Sequence, residues 1–248
     1  MLGLGTSISS FKMSAAVVAG LRGFSNTKSL DFDGSNDFVN TNYTANALFR
    51  GNFSFSYWVN LDTAVGVSLG LEKGSTSAFY VQHYNGNVNV FHYTNGDVAI
   101  QAGGGTPVSN DTWHHVVGTV TKNSGANTSY AVYVDGSAVS ISPLGNFTIT
   151  EANHNAFDSD GTFLAIGATN DDDTPDSFLN GNMDEVAIFN KALSSSEVTA
   201  IYNSGAPKNE SSHDGLLLYY RFEDDVTDTN GTSNGTNNGA TFSSTVPS

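Results

Sequence analysis

Short segments of alternating hydrophobic and polar residues recur at roughly ten-residue spacing from Ser29 onward. Asn-Gly and Asp-Gly pairs separate many of them and favour the positive φ of type I′ hairpin turns. Such turns are predicted at residues 85–86, 95–96, 135–136 and 180–181. The pattern is typical of an antiparallel β-sandwich. It predicts strands at residues 29–33, 52–61, 79–84, 87–93, 97–101, 113–121, 129–135, 137–141, 162–166, 183–190 and 216–223.

One segment has helical spacing instead. Ser194 and Glu197 have the spacing of a capping box, and the apolar residues that follow share one helix face. They predict a short helix over residues 195–203, with Gly205 ending it.

The two ends of the chain lack strong periodicity. Residues 227–248 repeat Asn-Gly with few apolar residues, which predicts turns or a loosely packed loop. Residues 1–28 have neither strand alternation nor helix caps, so we expect an N-terminal arm that mediates assembly or attachment. Its short apolar run follows a single cation, Lys12, without a clear cleavage site, which favours an arm over a signal peptide.

Charge and composition exclude several classes of protein. The chain has 24 acidic and 9 basic residues, a formal net charge of −15. That charge repels phosphate backbones, so no nucleic-acid partner is expected. The chain contains no cysteine, which excludes disulfides, thiolate metal sites and cysteine nucleophiles. No apolar stretch reaches the length of about 18 residues that a membrane-spanning helix needs.

Several segments in order carry a family resemblance. They are SLDFDGSNDFVN (29–40), NFSFSYWVNL (52–61), WHHVVGTV (113–120), YVDG (133–136) and FLNGNMDEVAIFNKALSSSEVTAIYNSG (178–205). Together they resemble the laminin-G-like branch of the concanavalin A-like lectin/glucanase superfamily. The resemblance implies an all-β fold, a two-sheet antiparallel jelly-roll sandwich over residues 29–248, with one short helix and the N-terminal arm. It also implies that Trp58 and Trp113 are framework residues.

The segment GLLLYYRFEDDVTDTNGTSNGTNNGATF (215–242) resembles an element that precedes the FDG strand in many family members. Its late position implies a circularly permuted domain. The same arrangement resembles structural proteins of marine bacteriophages. This implies a non-enzymatic, homo-oligomeric virion protein, a capsid decoration or tail fibre, with its lectin-like domain at the virion surface. The alternative is a secreted, extracellular carbohydrate-binding module.

Calcium is the expected cofactor, in a structural role. In this superfamily an ion often joins the loop after the first strand to an aspartate of a late strand, which implies Asp33, Asn36 and Asp37 with Asp184. The alternative is that these side chains cap turns. A second, weaker candidate is the acidic run that contains Asp171, Asp172, Asp173 and Asp176, which otherwise forms a solvated loop.

No catalytic residue is predicted. The E-x-D-x-x-E pattern of the superfamily's glucanases is absent from the sequence. Asp184 and Glu185 are neighbours, but adjacent residues of a regular strand point to opposite faces. The same argument separates His114 from His115, and the predicted register places His83 opposite Val88 and His92 opposite Phe79, so neither pair is expected to chelate a metal.

The predicted hairpin over residues 79–93 is the candidate glycan surface. Alternation places Phe79, Val81, Val88 and Val90 on the core face. The opposite face then presents aromatic and amide side chains, which suit sugar rings. The candidate carbohydrate-binding residues are Tyr80, Gln82, Tyr84, Asn89 and Tyr93, with Asn87 and Phe91 beside them, and cell-surface glycans are the expected ligands.

Overall fold

The computed structural model describes residues 24–44, 46–94, 97–104, 108–143 and 149–248. Within these ranges three short helices accompany the strands, namely α1 (Asn46–Phe49), α2 (Glu151–His154) and α3 (Ser195–Tyr202). The strands are β1 (Ser29–Asp33), β2 (Phe38–Asn40), β3 (Phe53–Leu61), β4 (Val65–Lys73), β5 (Ser77–Tyr84), β6 (Asn87–Thr94), β7 (Asp97–Gly104), β8 (Trp113–Thr121), β9 (Ser129–Val134), β10 (Ser137–Pro143), β11 (Ala165–Ile166), β12 (Thr169–Asp171), β13 (Thr174–Asp176), β14 (Asn180–Phe189), β15 (Leu216–Tyr220), β16 (Thr236–Asn238) and β17 (Thr241–Ser243).

The strands form two antiparallel sheets, as the predicted sandwich requires. Sheet A runs β17–β1–β14–β3–β8–β9, and β15 pairs with the second half of β14. Sheet B runs β16–β2–β11–β4–β5–β6–β7, with β12 beside β4 and β13 beside β12. β10 pairs with β9 and with β7, so it connects the two sheets at one edge.

The core lies between the sheets and follows the two-residue alternation of their strands. Tyr57 and Val59 of β3 are fully buried, as are Leu69 of β4 and Val81 of β5. A second apolar cluster lies on the outer face of sheet A, where Val198 and Ile201 of α3 cover it. The outer face of sheet B has no such helix over it among the described residues.

The predicted helix is confirmed. α3 has both hydrogen bonds of the capping box between Ser194 and Glu197. It ends at Asn203, which takes the left-handed conformation with φ 50°, two residues before the predicted Gly205. In the described part of the chain no helix is long and apolar enough to cross a membrane.

Two predicted hairpin turns are confirmed, since Asn85-Gly86 and Asp135-Gly136 have positive φ at both residues. The turn at residues 95–96 lies outside the described residues. The turn predicted at Asn180-Gly181 is wrong, because both residues lie inside β14 and pair with β1.

The C-terminal prediction was also wrong. Residues 227–248 are not a loose loop, because β16 pairs with β2 and β17 pairs with β1. Backbone hydrogen bonds to β1 and β2 hold these residues in strands, although their side chains show no strand pattern. β17 lies directly beside β1, with Leu30 opposite Phe242. Circular permutation stays a prediction, and residues 1–23 of the predicted arm lie outside the described residues.

Candidate functional site

The outer face of the β5–β6 hairpin carries a row of aromatic side chains. The register is the predicted one, with His83 opposite Val88 and His92 opposite Phe79. Phe79, Val81, Val88 and Val90 are buried in the core, at 2% exposure or less. The other face therefore points away from the core. We call Tyr80, Phe91 and Tyr93, with the amides of Gln82 and Asn89, the aromatic face.

The rings of the aromatic face are stacked and nearly parallel. Tyr80 and Phe91 are opposite each other across the two strands, with centroids 4.3 Å apart and planes at 16°. Phe91 and Tyr93 lie 6.3 Å apart at 10°. All three are half-buried, whereas Tyr84, at the hairpin end, is 52% exposed. Gln82 and Asn89 pair opposite each other beyond Tyr80, so amide groups continue the row.

A cavity of about 270 Å³ adjoins this face, lined by Tyr93, Glu72 and the β4–β5 turn with Ser75 and Ser77. Burial raises the pKa of Glu72 to about 7, with further contributions from the charges of Asp171 and Asp176. We call these three carboxylates the acidic corner. The pKa of the Tyr80 phenol is also raised, mainly by burial and its hydrogen bond to Tyr93, with smaller effects of Glu72 and Asp176.

The acidic corner contains two of the residues predicted as a weak calcium site. Asp172 and Asp173 have φ of 46° and 64° and form the turn between β12 and β13. The Asp171 carboxylate accepts a hydrogen bond of 3.0 Å from the Gly74 amide. Asp172 and Asp173 therefore form a turn, whereas Asp171 and Asp176 lie close enough to Glu72 to raise its pKa, and calcium binding by these four aspartates stays a prediction.

The main predicted calcium set is not assembled. The Asp33 carboxylate accepts the Ser35 amide at 2.8 Å, which is a turn-capping bond, and Asp37 accepts the Asp33 amide at 3.1 Å. Asn36 is exposed in the same turn. Asp33 pairs with Asn180 whereas Asp184 lies beyond Met183 at the other end of β1, which places them about 13 Å apart along the strand. Asp184 therefore does not fit the set.

Within the described ranges no group of three or more His, Cys, Asp or Glu side chains is arranged to hold a metal ion. Calcium binding stays a prediction.

Asp184 and Glu185 do not point to opposite faces, so the alternation argument for them was wrong. Glu185 has φ 49°, and the register of β14 against β3 shifts between Asp184 and Ala187, which marks a β-bulge. Asp184 accepts the Asn26 amide at 2.8 Å, and Glu185 contacts the Tyr219 hydroxyl and Arg221. Burial, reinforced by Glu185, raises the pKa of Asp184 well above its usual value.

This cluster fastens the described end of the N-terminal segment. The Arg221 guanidinium lies 4.5 Å from the Phe24 ring centroid and donates to the Ser25 carbonyl. The Glu223 carboxylate accepts the Thr27 amide at 2.7 Å. Residues 24–28 of the predicted arm thus dock on their own domain, and the carboxylates serve that contact.

The side chains of His114 and His115 have different partners, as predicted. His115 donates to or accepts from Ser56 at 2.8 Å, whereas His114 contacts Asp135 at 2.8 Å. Burial lowers the pKa of His83, His92 and His115 to about 3, which keeps each of them neutral.

A second aromatic cluster was not predicted from the sequence. A groove of about 430 Å³ is lined by Trp58, Trp113 and Tyr202 together with Asp111 and Asp135. Trp58 is 4% exposed and packs as the framework residue expected, but Trp113 is half-exposed at the rim. Residues 58, 113 and 202 are far apart in sequence, so no local pattern could indicate this cluster. We call these five residues the tryptophan groove.

Comparison with known proteins agrees with this fold. Residues 33–199 match the Laminin_G_3 family model of the concanavalin A-like lectin/glucanases superfamily, which is more than half of the chain. The chain belongs to this family. Its members share the lectin-like fold seen here, and the resemblance predicted from sequence is confirmed. No curated protein sequence matches the chain significantly.

Solved structures support the fold assignment. A proposed carbohydrate binding protein from Bacteroides ovatus matches with TM-score 0.64 and 19% identity over 90% of this chain, and this chain spans 62% of that protein. A heptameric SAP-like pentraxin from Limulus polyphemus matches with TM-score 0.54 and 12% identity, covering 88% of this chain and 94% of that one. A sialidase from Streptococcus pneumoniae matches with TM-score 0.50 and 18% identity, covering 70% of this chain and 27% of that one.

Proposed function

We propose that the chain is a non-catalytic glycan-binding domain and that the aromatic face is its binding surface. The observation that carries this proposal is the stack of Tyr80 on Phe91 at 4.3 Å, continued by Tyr93, on an outer sheet face that no helix covers in the described residues. Tyr80 and Phe91 cover each other's facing sides, so the half-buried row offers its outer ring faces and ring edges as apolar surface. The C–H groups of a pyranose pack on such rings, and its hydroxyls need nearby polar partners.

Those polar partners are present. Gln82, which is half-buried, offers an amide donor and acceptor at one end of the ring row, whereas Asn89 opposite it is buried, and Glu72 with Ser75 lies at the other end. The cavity of about 270 Å³ beside Tyr93 is close to the lower limit for small-molecule sites and has room for one or two sugar units. The Bacteroides ovatus relative, itself a proposed carbohydrate binding protein, supports the same class of ligand.

The surface serves either biological setting proposed from the sequence. An outward-facing domain of a phage virion and a secreted module would both use it to hold a glycan. Co-purification with particles and a stable homo-oligomer would favour the virion role. A monodisperse monomer in the culture medium would favour the module.

One observation bears on an enzymatic alternative. Glu72 has a pKa near 7 beside two other carboxylates, as a glycosidase acid would. Its raised pKa has burial as its main cause, and the Asp171 carboxylate is already engaged by the Gly74 amide. If the wild type releases reducing sugar from a glycan and Glu72→Gln does not, the chain is a glycosidase rather than a non-catalytic domain.

The test is glycan binding by matched phenylalanine variants. Phe91→Ala removes the middle ring of the aromatic face, while Phe38→Ala removes a half-buried phenylalanine of the same sheet that stacks on Phe163 elsewhere. On a broad glycan array the wild type and Phe38→Ala should bind the same glycans, and Phe91→Ala should lose at least tenfold in affinity. If Phe91→Ala and Phe38→Ala bind glycans equally well, the aromatic face is not the binding surface.

A further inference from the structure

The tryptophan groove lies on the outer face of sheet A, away from the aromatic face. Trp58 alternates along β3 with the buried core residues Tyr57 and Val59, so its ring points out of the sandwich. Trp113 of β8 pairs opposite Asn60, on the same side as Trp58. Tyr202, at the end of α3, closes the groove from above, with its ring 6.0 Å from Trp58 and nearly parallel at 27°.

The aromatic walls are fixed in place. The Trp58 ring lies 4.9 Å from the His115 ring, and His115 is held by its bond to Ser56. Tyr202 packs so closely on the β9–β10 turn that a Cβ at Gly136 would lie 2.5 Å from its ring. These contacts hold the walls without any ligand, so a ring that enters the groove meets a preformed surface.

The polar rim is fixed as well. The Asp135 carboxylate accepts the His115 amide at 2.9 Å and contacts His114 at 2.8 Å. The Asp111 amide donates to the Leu61 carbonyl at 2.9 Å, and Asp111 has φ 57° with an exposed side chain.

We propose that the tryptophan groove is a second ligand site that takes one ring of a neutral sugar. Trp58 is buried against His115 and Tyr202 and supports the groove, while the half-buried rings of Trp113 and Tyr202 suit the C–H face of a pyranose, and the two rim carboxylates suit hydroxyl donors. Carboxylates at the rim repel uronic acids, sialic acids and phosphates, which favours neutral ligands. This inference rests on the groove alone and does not require the aromatic face to bind.

Two sites on opposite outer faces have a functional consequence. Tyr80 alternates with core residues of sheet B as Trp58 does in sheet A, so the two surfaces face opposite directions across the sandwich. Packed sheets are about 10 Å apart, which is too thick for one short oligosaccharide to reach both surfaces. One copy of the domain would therefore bridge two glycan chains and cross-link a polysaccharide without oligomerising.

Tryptophan fluorescence tests the groove selectively. The chain has two tryptophans, both in the groove, and the aromatic face has none. We would titrate neutral gluco-, manno- and galacto-oligosaccharides into the Phe91→Ala protein, in which the aromatic face is disabled. A saturable change in emission with at least one of these sugars is expected. No change with any of them would overturn the inference.

Asp111→Gly provides the matched variant, because glycine adopts φ 57° without strain and only the carboxylate is lost. It should weaken the fluorescence-detected affinity about tenfold or more, as loss of a hydrogen bond to a charged group does. Asp225→Gly, at an exposed position outside the groove, should leave the affinity unchanged. Equal affinity of both variants and the wild type would show that the rim does not bind the sugar, which also contradicts the inference.

The cross-linking consequence has its own readout. The wild type should raise the light scattering of a neutral polysaccharide solution, and Asp111→Gly and Phe91→Ala should each abolish that rise. If Phe91→Ala binds glycans on the array as well as the wild type does, while Asp111→Gly loses the fluorescence-detected affinity, the proposed function fails and the groove stands. If Phe91→Ala loses array binding, and no sugar changes the tryptophan emission, the groove fails and the proposed function stands.

Discussion

Arg221 and Glu185 form an ion pair on the outer face of sheet A, with the Arg221 Nε 3.3 Å from the Glu185 Oε1. The Glu185 side chain is 4% exposed and the Arg221 side chain 24%. At pH 8, where the Glu185 carboxylate is ionised, Arg221→Met should therefore destabilise the fold by about 3 kcal/mol, because it leaves a buried carboxylate without its cation. Urea unfolding measures this loss.

The double variant Arg221→Met/Glu185→Leu is the control. Replacing both partners by apolar residues removes the unpaired charge, so stability should return close to that of the wild type. A double variant less stable than Arg221→Met alone would mean that Glu185 stabilises the domain through its contact with Tyr219 instead.

The stability of the domain should be greatest between about pH 4.5 and pH 6.5. Burial raises the pKa of Glu185 to about 7 from 4.5. The folded state then holds a proton that the unfolded state has lost, so this group lowers stability as pH rises from 4.5 to 7. Burial raises the pKa of Glu210 to about 7 as well, and that of Asp184 well above its usual value.

The buried histidines act in the opposite direction. His83, His92 and His115 have pKa values near 3 against 6.5 unfolded, so the unfolded state gains protons first as pH falls below 6.5. The carboxylate and histidine effects oppose each other from 4.5 to 6.5. Above 6.5 the carboxylates alone act, and below 4.5 the histidines alone act.

Urea midpoints measured from pH 3.5 to pH 8 should therefore fall on both sides of a plateau. Glu185→Gln removes one of the opposing carboxylate effects, so its midpoint should rise between pH 4.5 and pH 6.5 relative to the wild-type plateau, and the fall below pH 4.5 should be unchanged. A urea midpoint that rises steadily up to pH 8 would contradict the raised pKa values of the buried carboxylates.

The acidic corner should make the aromatic face selective for neutral glycans. Glu72, Asp171 and Asp176 influence one another electrostatically beside it, and the neighbouring Lys73 is engaged by Asp158 at 3.4 Å. A carboxylated counterpart of any neutral glycan that binds should bind more weakly, by about two- to fivefold for each carboxylate nearby.

Glu72→Gln/Asp176→Asn should narrow this difference, and so should 0.5 M salt, which screens the charges over about 4 Å. Lowering the pH below 7 should narrow it too, because Glu72 becomes neutral. Isothermal titration with the neutral and acidic glycans checks all three. If the double variant still binds neutral glycans more tightly than acidic ones by the same factor, the selectivity comes from the shape of the site and not from its charge.

Regular alternation explains what could be predicted from the sequence. β5 and β6 are uninterrupted strands joined by an Asn-Gly turn, so a two-residue turn fixed the register and with it every member of the aromatic face. The capping box likewise located α3. In both cases the structure is determined by residues that are close together in the sequence, so a local pattern is enough to predict it.

Other features depend on contacts between distant residues. β4 was not predicted, because glycines interrupt its pattern, and Gly70 is needed there since a Cβ would lie 2.6 Å from the Ala168 carbonyl. The bulge at Glu185 places this side chain on the same face as Asp184 without any local signal. The tryptophan groove joins β3, β8 and α3, so only the assembled sheet brings its rings together.

Gly118 provides a last prediction about the core. It lies in β8 opposite Phe55 of β3, and a Cβ there would lie 2.0 Å from the Phe55 ring. Phe55 is fully buried, so the ring cannot move into solvent. Gly118→Ala should destabilise the domain by about 1–3 kcal/mol through overpacking. Gly51→Ala, whose Cβ would lie 3.5 Å from the nearest atom, should change stability by less than about 0.5 kcal/mol.

Phe55→Leu should recover part of the loss in the Gly118→Ala background, because the smaller side chain makes room for the methyl group. If Phe55→Leu and Gly118→Ala instead add their separate losses, the two residues do not compete for the same space and the close approach is not what requires a glycine in β8.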